Sequence, residues 1–121
     1  MHISQLDNFM NNILKYSFDD EPVINFYYDL INKRLEIGFS GYYENQDLID
    51  KPCIFTIKNW KDSSCKVGDE EKRYPINSQL GIINMVLHMK YQNNKLKILV
   101  NTLDNRYIEL CFEQPQLSLK S

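Results

Sequence analysis

The C-terminal third of the chain constrains the fold more than any other part, because it has the pattern of three β-strands joined by short turns. Apolar-rich runs cover residues 82–91, 95–102 and 106–113. Asn93-Asn94 separates the first two runs, and such a turn suits type I′ geometry because Asn tolerates a positive φ. The pattern predicts an antiparallel β-meander. It predicts the fold of this region, but it does not indicate a catalytic activity.

The apolar residues predict the register of this meander. With a two-residue first turn, Met89 lies opposite Ile98 and Leu87 lies opposite Val100, and all four side chains lie on one face. For the second turn, a two-residue turn at 104–105 would set Val100 opposite Glu109. A three-residue loop at 103–105 sets Val100 opposite Ile108 instead. A slip of one residue moves every side chain of a strand to the other face of the sheet, so the hydrophobic pattern decides between the two turns. Because the three-residue loop pairs apolar residues with each other, we prefer it, with Asn105 in the left-handed conformation.

The first half of the chain predicts one helix followed by three strands. Apolar residues from Ile3 to Leu14 recur at helical spacing, and the helix is expected to end near residues 16–18, ahead of Pro22. Strands are predicted over residues 23–28, 34–40 and 53–60. Residues 41–51 and 61–75 are expected to be polar connectors, with Cys65 in an open loop.

These elements predict one domain over residues 1–121, a typical domain length, with residues 114–121 as a C-terminal tail. The expected class is α+β, with an N-terminal helix packed on a roughly six-stranded antiparallel meander sheet. The apolar face of that sheet is predicted to carry Leu35, Ile37, Phe39, Phe55, Ile57, Leu87, Met89, Ile98, Val100, Ile108 and Leu110.

The residue types that perform most catalysis are scarce. The chain has two histidines, His2 and His88, and three cysteines without C-x-x-C spacing. His88 is predicted to lie on the exposed face of its strand with no metal-ligand partner at a suitable spacing. Glycine-rich phosphate-binding motifs and the G-x-S-x-G motif do not occur. We therefore predict no enzymatic activity, no metal and no cofactor. The odd number of cysteines favours reduced thiols and a cytoplasmic location.

The charge distribution fits two interpretations: an ordinary solvated surface, since strands from both halves can mix their charges in space, or an acidic surface that meets a basic partner. Residues 1–50 hold nine acids and three bases, whereas residues 51–121 hold seven acids and eleven bases. An acidic, tyrosine-rich connector is suited to a basic protein partner, because the acids steer its approach and the tyrosines supply contact area. The predicted partner-binding residues are Tyr42, Tyr43, Glu44, Asp47, Asp50, Asp62, Asp69, Glu70 and Glu71.

Three segments carry a resemblance to a known class of proteins: Gly38-Phe39-Ser40-Gly41-Tyr42-Tyr43-Glu44-Asn45, Cys53-Ile54-Phe55-Thr56-Ile57-Lys58-Asn59-Trp60, and Val100-Asn101-Thr102-Leu103-Asp104-Asn105-Arg106-Tyr107. The chain resembles small bacterial immunity proteins that neutralise contact-dependent growth inhibition toxins and other polymorphic toxins. The resemblance implies a cytoplasmic, stoichiometric inhibitor that covers the active site or substrate groove of a cognate toxin domain. A nuclease toxin would fit the acidic surface.

The implied partner is the C-terminal domain of the cognate toxin, and no nucleic acid, membrane or small-molecule ligand is expected. The alternative is a non-catalytic interaction or scaffold module with a different partner.

Overall fold

The computed structural model describes residues 16–120, and this part of the chain is almost entirely β-structure. Strands account for 63% of it and helix for 4%, the helix being the single turn α1, Ile76–Gln79. The predicted α+β class is therefore wrong, because residues 16–120 form two antiparallel sheets and contain no helix of seven or more residues. The predicted helix begins in residues that lie outside the described range, and Tyr16–Ser17, where it was expected to end, forms a strand.

Two antiparallel sheets contain these strands. The smaller sheet has the order β1-β4-β5, with β1 at Tyr16–Ser17, β4 at Tyr42–Glu44 and β5 at Asp47–Ile49. The larger sheet has eight strands in the order β11-β6-β3-β2-β8-β9-β10-β7. Its strands are β2 (Glu21–Asp29), β3 (Arg34–Phe39), β6 (Cys53–Lys58), β7 (Asp62–Val67), β8 (Ile83–Gln92), β9 (Lys95–Thr102), β10 (Tyr107–Glu113) and β11 (Gln116–Lys120). The roughly six-stranded meander of the prediction is thus an incomplete account of the sheet.

The predicted meander is confirmed in β8, β9 and β10. Asn93 and Asn94 both have positive φ, at 55° and 58°, as a type I′ turn requires. The three-residue loop is also confirmed, since Asn105 has φ 62° and Val100 lies opposite Ile108. The neighbouring pairs follow the same register, with Ile98 opposite Leu110 and Leu96 opposite Phe112. Apolar periodicity and turn chemistry therefore suffice to define this register.

One register prediction fails in β8. Met89 lies opposite Ile98 as predicted, but the ladder shifts between Val86 and His88, so Val86 rather than Leu87 lies opposite Val100. Val86 is fully buried, whereas Leu87 is only half-buried. A β-bulge inserts one residue and exchanges the faces of the residues on either side of it. The bulge removes Leu87 from the core face without changing the pairing further along.

One continuous hydrophobic core joins the two ends of the larger sheet. Nine residues of the predicted apolar face are completely buried: Leu35, Ile37, Phe39, Phe55, Ile57, Ile98, Val100, Ile108 and Leu110. Leu87 and Met89, the other two predicted members, are only half-buried. Trp60 lies between β6 and β7 and contacts Phe112 of β10, with ring centroids 4.7 Å apart. The core thus extends from the β6–β3 side of the sheet to the β9–β10 side.

Two segments expected to be irregular are strands at the edges of the larger sheet. The tail predicted for residues 114–121 contains β11, which pairs with β6 from Gln116 to Lys120. The loop predicted for residues 61–75 begins with β7, which pairs with β10 and buries Cys65 completely. Both strands are short and rich in polar residues, which weakens the alternation that identifies a strand.

Candidate functional site

The strongest candidate for a functional surface is the hairpin of β4 and β5, which lies within the predicted connector. Asn45 and Gln46 form its two-residue turn and both have positive φ, at 51° and 72°. Tyr43 lies opposite Leu48, and Glu44 lies opposite Asp47. Strand β1 pairs with the other edge of β4, so the hairpin belongs to a three-stranded sheet. A two-residue turn between two apolar-containing triplets was the sequence signal that could have revealed the hairpin.

The two tyrosines of β4 point to opposite faces of the hairpin. Tyr42 is 7% exposed and packs against Phe18, with ring centroids 5.7 Å apart. Burial raises the pKa of the Tyr42 phenol, and the Glu44 carboxylate acts in the same direction. Its ring therefore anchors the hairpin to the core, and little of the Tyr42 side chain is left for the predicted contact with a partner.

The opposite face of the hairpin presents an apolar pair to solvent. The Tyr43 side chain is 40% exposed and its cross-strand neighbour Leu48 is 58% exposed. Residues 42–50 contain three carboxylates, Glu44, Asp47 and Asp50, and no basic residue. Asp47 and Asp50 are exposed. Tyr43 and Leu48 form this outer face, and Glu44 and Asp47 form the next cross-strand pair, beside the turn. We call the part of the hairpin formed by Tyr43, Glu44, Asp47, Leu48 and Asp50 the acidic hairpin surface. It combines a net negative charge with an exposed aromatic side chain, as sites for basic protein partners do.

The other predicted partner-binding residues do not extend this surface. Asp50 precedes β6 and Asp62 follows it, and six residues of strand separate the two ends of β6 by about 20 Å. Asp62 begins β7 opposite Glu113. Of the remaining acids, Asp69 is exposed, Glu70 accepts a 3.4 Å hydrogen bond from the Tyr74 hydroxyl, and Glu71 lies 3.8 Å from the Lys66 ammonium. The predicted partner-binding acids therefore do not form one surface.

His88 has a partner that sequence spacing did not reveal. Its Nδ1 lies 3.4 Å from a carboxylate oxygen of Asp19, and both side chains are about half exposed. The pair lines an open cavity of about 460 Å³ together with Tyr16, Phe18, Met89 and Tyr91. Within residues 16–120, no group of three or more His, Cys, Asp or Glu side chains could hold a metal ion.

The three thiols of the chain are buried and lack the surroundings of a nucleophile. Burial raises the pKa of Cys53 to about 11. Burial also raises the pKa of Cys65, against the opposing influence of Arg106 and Arg73. A reactive cysteine needs access and a lowered pKa, which favours the thiolate. The expectation that Cys65 lies in an open loop is wrong, because it is buried in β7.

A small basic region lies on the exposed face of the meander, and sequence reasoning did not find it. Lys90 of β8 lies directly opposite Lys97 of β9, although like charges in this position repel. Lys95, two pairs nearer the turn of this hairpin, lies 3.4 Å from Glu113. The three lysines line a second open cavity, of about 390 Å³. The acidic hairpin surface and this basic region belong to different sheets.

Comparison with protein-family models, curated proteins and solved structures finds no match for this chain. Among residues 16–120 there is also no helix whose length and apolar character would let it cross a membrane.

Proposed function

We propose that this chain is a non-catalytic binding protein of the immunity type, which neutralises a cognate toxin domain in the cytoplasm. The observation that supports the proposal best is the acidic hairpin surface, where the exposed Tyr43–Leu48 pair lies beside Glu44 and Asp47. The resemblance of residues 38–45, 53–60 and 100–107 to immunity proteins suggests the same class of function.

The surface is suited to two separate stages of binding. Carboxylates at positions 44, 47 and 50 attract a basic groove at long range and raise the rate of association. Tyr43 and Leu48 then supply the contact area that slows dissociation. A toxin that binds nucleic acid presents the required basic groove, because contacts with phosphates depend on Lys and Arg. We therefore propose a nuclease domain as the partner, held by occlusion of its active site or substrate groove.

The anchoring of the hairpin supports this role. Tyr42 and Phe18 attach the inner face of the hairpin to the core, so its outer face is held by a packed base. A surface that is ordered before binding loses less conformational entropy when the partner docks. Inhibition by such a surface is stoichiometric, since no bond of the toxin is made or broken.

The test uses the C-terminal toxin domain encoded by the neighbouring gene, captured first by pull-down and then studied by kinetic binding measurements. Asp47→Lys should lower the association rate and flatten its dependence on salt. Asp69→Lys is the matched control, because Asp69 is also an exposed aspartate but lies outside the hairpin. Its effect on the association rate should be clearly smaller.

The aromatic contact has its own test. Tyr43→Ala should act mainly on dissociation and weaken binding by about 2 kcal/mol, the usual cost of losing an aromatic hot spot. Tyr107→Ala is the control, since Tyr107 is an exposed tyrosine of β10 and lies in the other sheet. His88→Ala should leave inhibition intact. Unchanged kinetics at low salt in both Asp47→Lys and Tyr43→Ala would place the interface elsewhere and defeat the proposal.

A further inference from the structure

Strand β2 differs from every neighbour in the larger sheet in lacking a buried residue. It pairs with β3 from Val23 to Asp29, but with β8 only at Glu21 and Pro22. None of its nine residues is buried, and Tyr27 and Tyr28 are 55% and 40% exposed. Among residues 16–120, no strand pairs with the second edge of residues 25–29. A strand edge of this kind presents unpaired backbone donors and acceptors to any extended chain.

The features that usually protect an edge strand are confined to the start of β2. Proteins blunt such edges with proline, lysine or a β-bulge. Pro22 and the bulge between Val23 and Asn25 both precede the open stretch. Residues 25–29 contain no proline and no lysine, and they extend over about 17 Å. The edge of β2 is therefore occupied by β8 at Glu21 and Pro22, and it is unpaired from Asn25 to Asp29.

The open stretch is complementary to itself. Its sequence is Asn25-Phe26-Tyr27-Tyr28-Asp29. When two copies run antiparallel about Tyr27, each Phe26 lies opposite a Tyr28, and each Asn25 lies opposite an Asp29. No like charges meet in this register, and aromatic cross-strand pairs are favourable. A register centred on Asn25 would instead place Glu21 opposite Asp29 and would require pairing through Pro22.

The aromatic side chains are already arranged for this contact. Phe26 and Tyr28 stack with ring centroids 5.6 Å apart and planes only 5° from parallel. Both lie on the same face of β2, and neither is buried. Antiparallel pairing about Tyr27 would bring the two rings of one copy beside the two rings of the other. Tyr28 is 40% exposed in the single chain, and Phe26 is partly buried against the core, so the pairing would cover the part of this aromatic surface that remains in contact with water.

We propose that β2 pairs antiparallel with β2 of a second copy of this chain through residues 25–29, forming a dimer with two-fold symmetry. The interface is short, so the dimer is weak and forms at high protein concentration. The acidic hairpin surface belongs to the other sheet and takes no part in the pairing. The dimer is therefore tested without any toxin, and its failure would leave the proposed function standing.

The first experiment measures the mass of the full chain by sedimentation or light scattering, from micromolar to millimolar concentration. The mass should rise from the 14.4 kDa of one chain toward that of two. Tyr27→Lys places two ammonium groups opposite each other on the symmetry axis, and this variant should remain a monomer. Tyr107→Lys is the matched control, because Tyr107 is 51% exposed but β10 is paired on both sides. It should dimerise as the unaltered chain does.

The second experiment tests the register. All three native cysteines are buried, so a cysteine introduced on the surface is the reactive thiol under mild oxidation. Tyr27→Cys should give a disulfide-linked dimer, because the two Cys side chains face each other across the axis. Ile31→Cys is the control, since Ile31 is 93% exposed but lies in the turn after β2, and it should cross-link much more slowly.

Three results would overturn the proposal. The first is a monomer at every concentration, which would leave the edge of β2 to an extended segment of another protein. The second is association of Tyr27→Lys equal to that of the unaltered chain, with circular dichroism showing the same β-content. The third is equal cross-linking of Tyr27→Cys and Ile31→Cys, which would indicate random collisions rather than paired strands.

Discussion

The β8–β9 hairpin of the meander and the β4–β5 hairpin use the same local device but have opposite relations to the core. Both turns consist of two left-handed residues, Asn93-Asn94 in one and Asn45-Gln46 in the other. The meander strand β9 buries every second residue, including Leu96, Ile98 and Val100, all completely buried. The outer face of the β4–β5 hairpin instead leaves the Tyr43–Leu48 pair in solvent.

The difference shows that turn chemistry determines local pairing, whereas burial depends on what packs across the sheet. Ile98 is covered because side chains from both ends of the larger sheet meet over it in one core. Leu48 is a comparably apolar residue in a comparable pair, but its face has no second layer among the described residues. Four measurements test this difference between the two hairpins.

The largest effect should come from truncation inside the meander. Ile98→Ala removes a completely buried side chain from the centre of β9 and should lower the free energy of unfolding by about 2–5 kcal/mol. Leu99→Ala, at the next position on the exposed face, should cost less than about 1 kcal/mol. Urea denaturation measures both. Equal losses of unfolding free energy in the two variants would mean that the two faces of β9 do not differ in burial.

A smaller effect is expected at the β9–β10 loop. Asn105 has φ 62°, which a β-branched residue tolerates poorly, so Asn105→Val should cost about 1–2 kcal/mol. Asn105→Gly also removes the side chain that accepts a 3.3 Å hydrogen bond from Asn101, but it permits the same φ. The glycine variant should therefore be the more stable of the two. The reverse order in thermal or urea unfolding would contradict the left-handed assignment.

The third effect concerns the exposed pair of the acidic hairpin surface. Leu48→Ala should lower the free energy of unfolding by only about 0.2–1 kcal/mol, the usual contribution of one cross-strand pair. The measurement is again urea denaturation, beside Ile98→Ala. A cost as large as that of Ile98→Ala would mean that the outer face of the hairpin is packed, and would weaken the proposed binding surface.

The smallest expected effect is a dependence of stability on pH that comes from Asp104 in the β9–β10 loop. The Thr102 hydroxyl and the Arg106 guanidinium both donate to Asp104, and together they lower the pKa of its carboxyl group. A lowered pKa in the folded state stabilises the fold above the ordinary aspartate pKa, and this contribution is lost as the pH falls through the lowered value. The unfolding midpoint should therefore fall in acid less steeply for Asp104→Asn than for the unaltered chain. Asp69→Asn, at an exposed aspartate outside this network, should follow the unaltered chain.

The meander shows how much of a fold local sequence patterns can predict. Its three strands, its two turns and the register of β9 against β10 all follow from period-two alternation and from the tolerance of Asn for positive φ. The bulge at Leu87 does not follow from them. It depends on how β8 passes from pairing with β9 alone to pairing with β2 as well, at Val86 and Met85.

The failures have a common cause. Strands β4, β5, β7 and β11 have between three and six residues, and most carry polar side chains. A pattern this short rarely distinguishes a strand from a loop. Strands β7 and β11 also depend on partners from distant parts of the chain, β10 and β6. For the same reason, the burial of Trp60 and Cys65 could not be predicted from their polar neighbours.

The candidate surface was predicted in part. Composition identified residues 42–50 as acidic and aromatic, and the structure places Tyr43, Glu44 and Asp47 in one hairpin. Composition could not distinguish Tyr42 from Tyr43, because adjacent residues of a strand point to opposite faces and only the position of Phe18 decides which face is buried. Composition also could not show that Asp62 lies far from Asp50, because that distance depends on the path of β6 between them.

The meander, its turn conformations and most of its buried face follow from the sequence, because they depend on interactions between residues close along the chain. Long-range packing sets which hairpin is buried, which tyrosine is exposed, and where the edge of β2 lies open. Those properties depend on contacts between residues far apart in the chain, such as β2 with β8 and β11 with β6. Side-chain burial is a property of the assembled layers, and no single strand contains the information that specifies it.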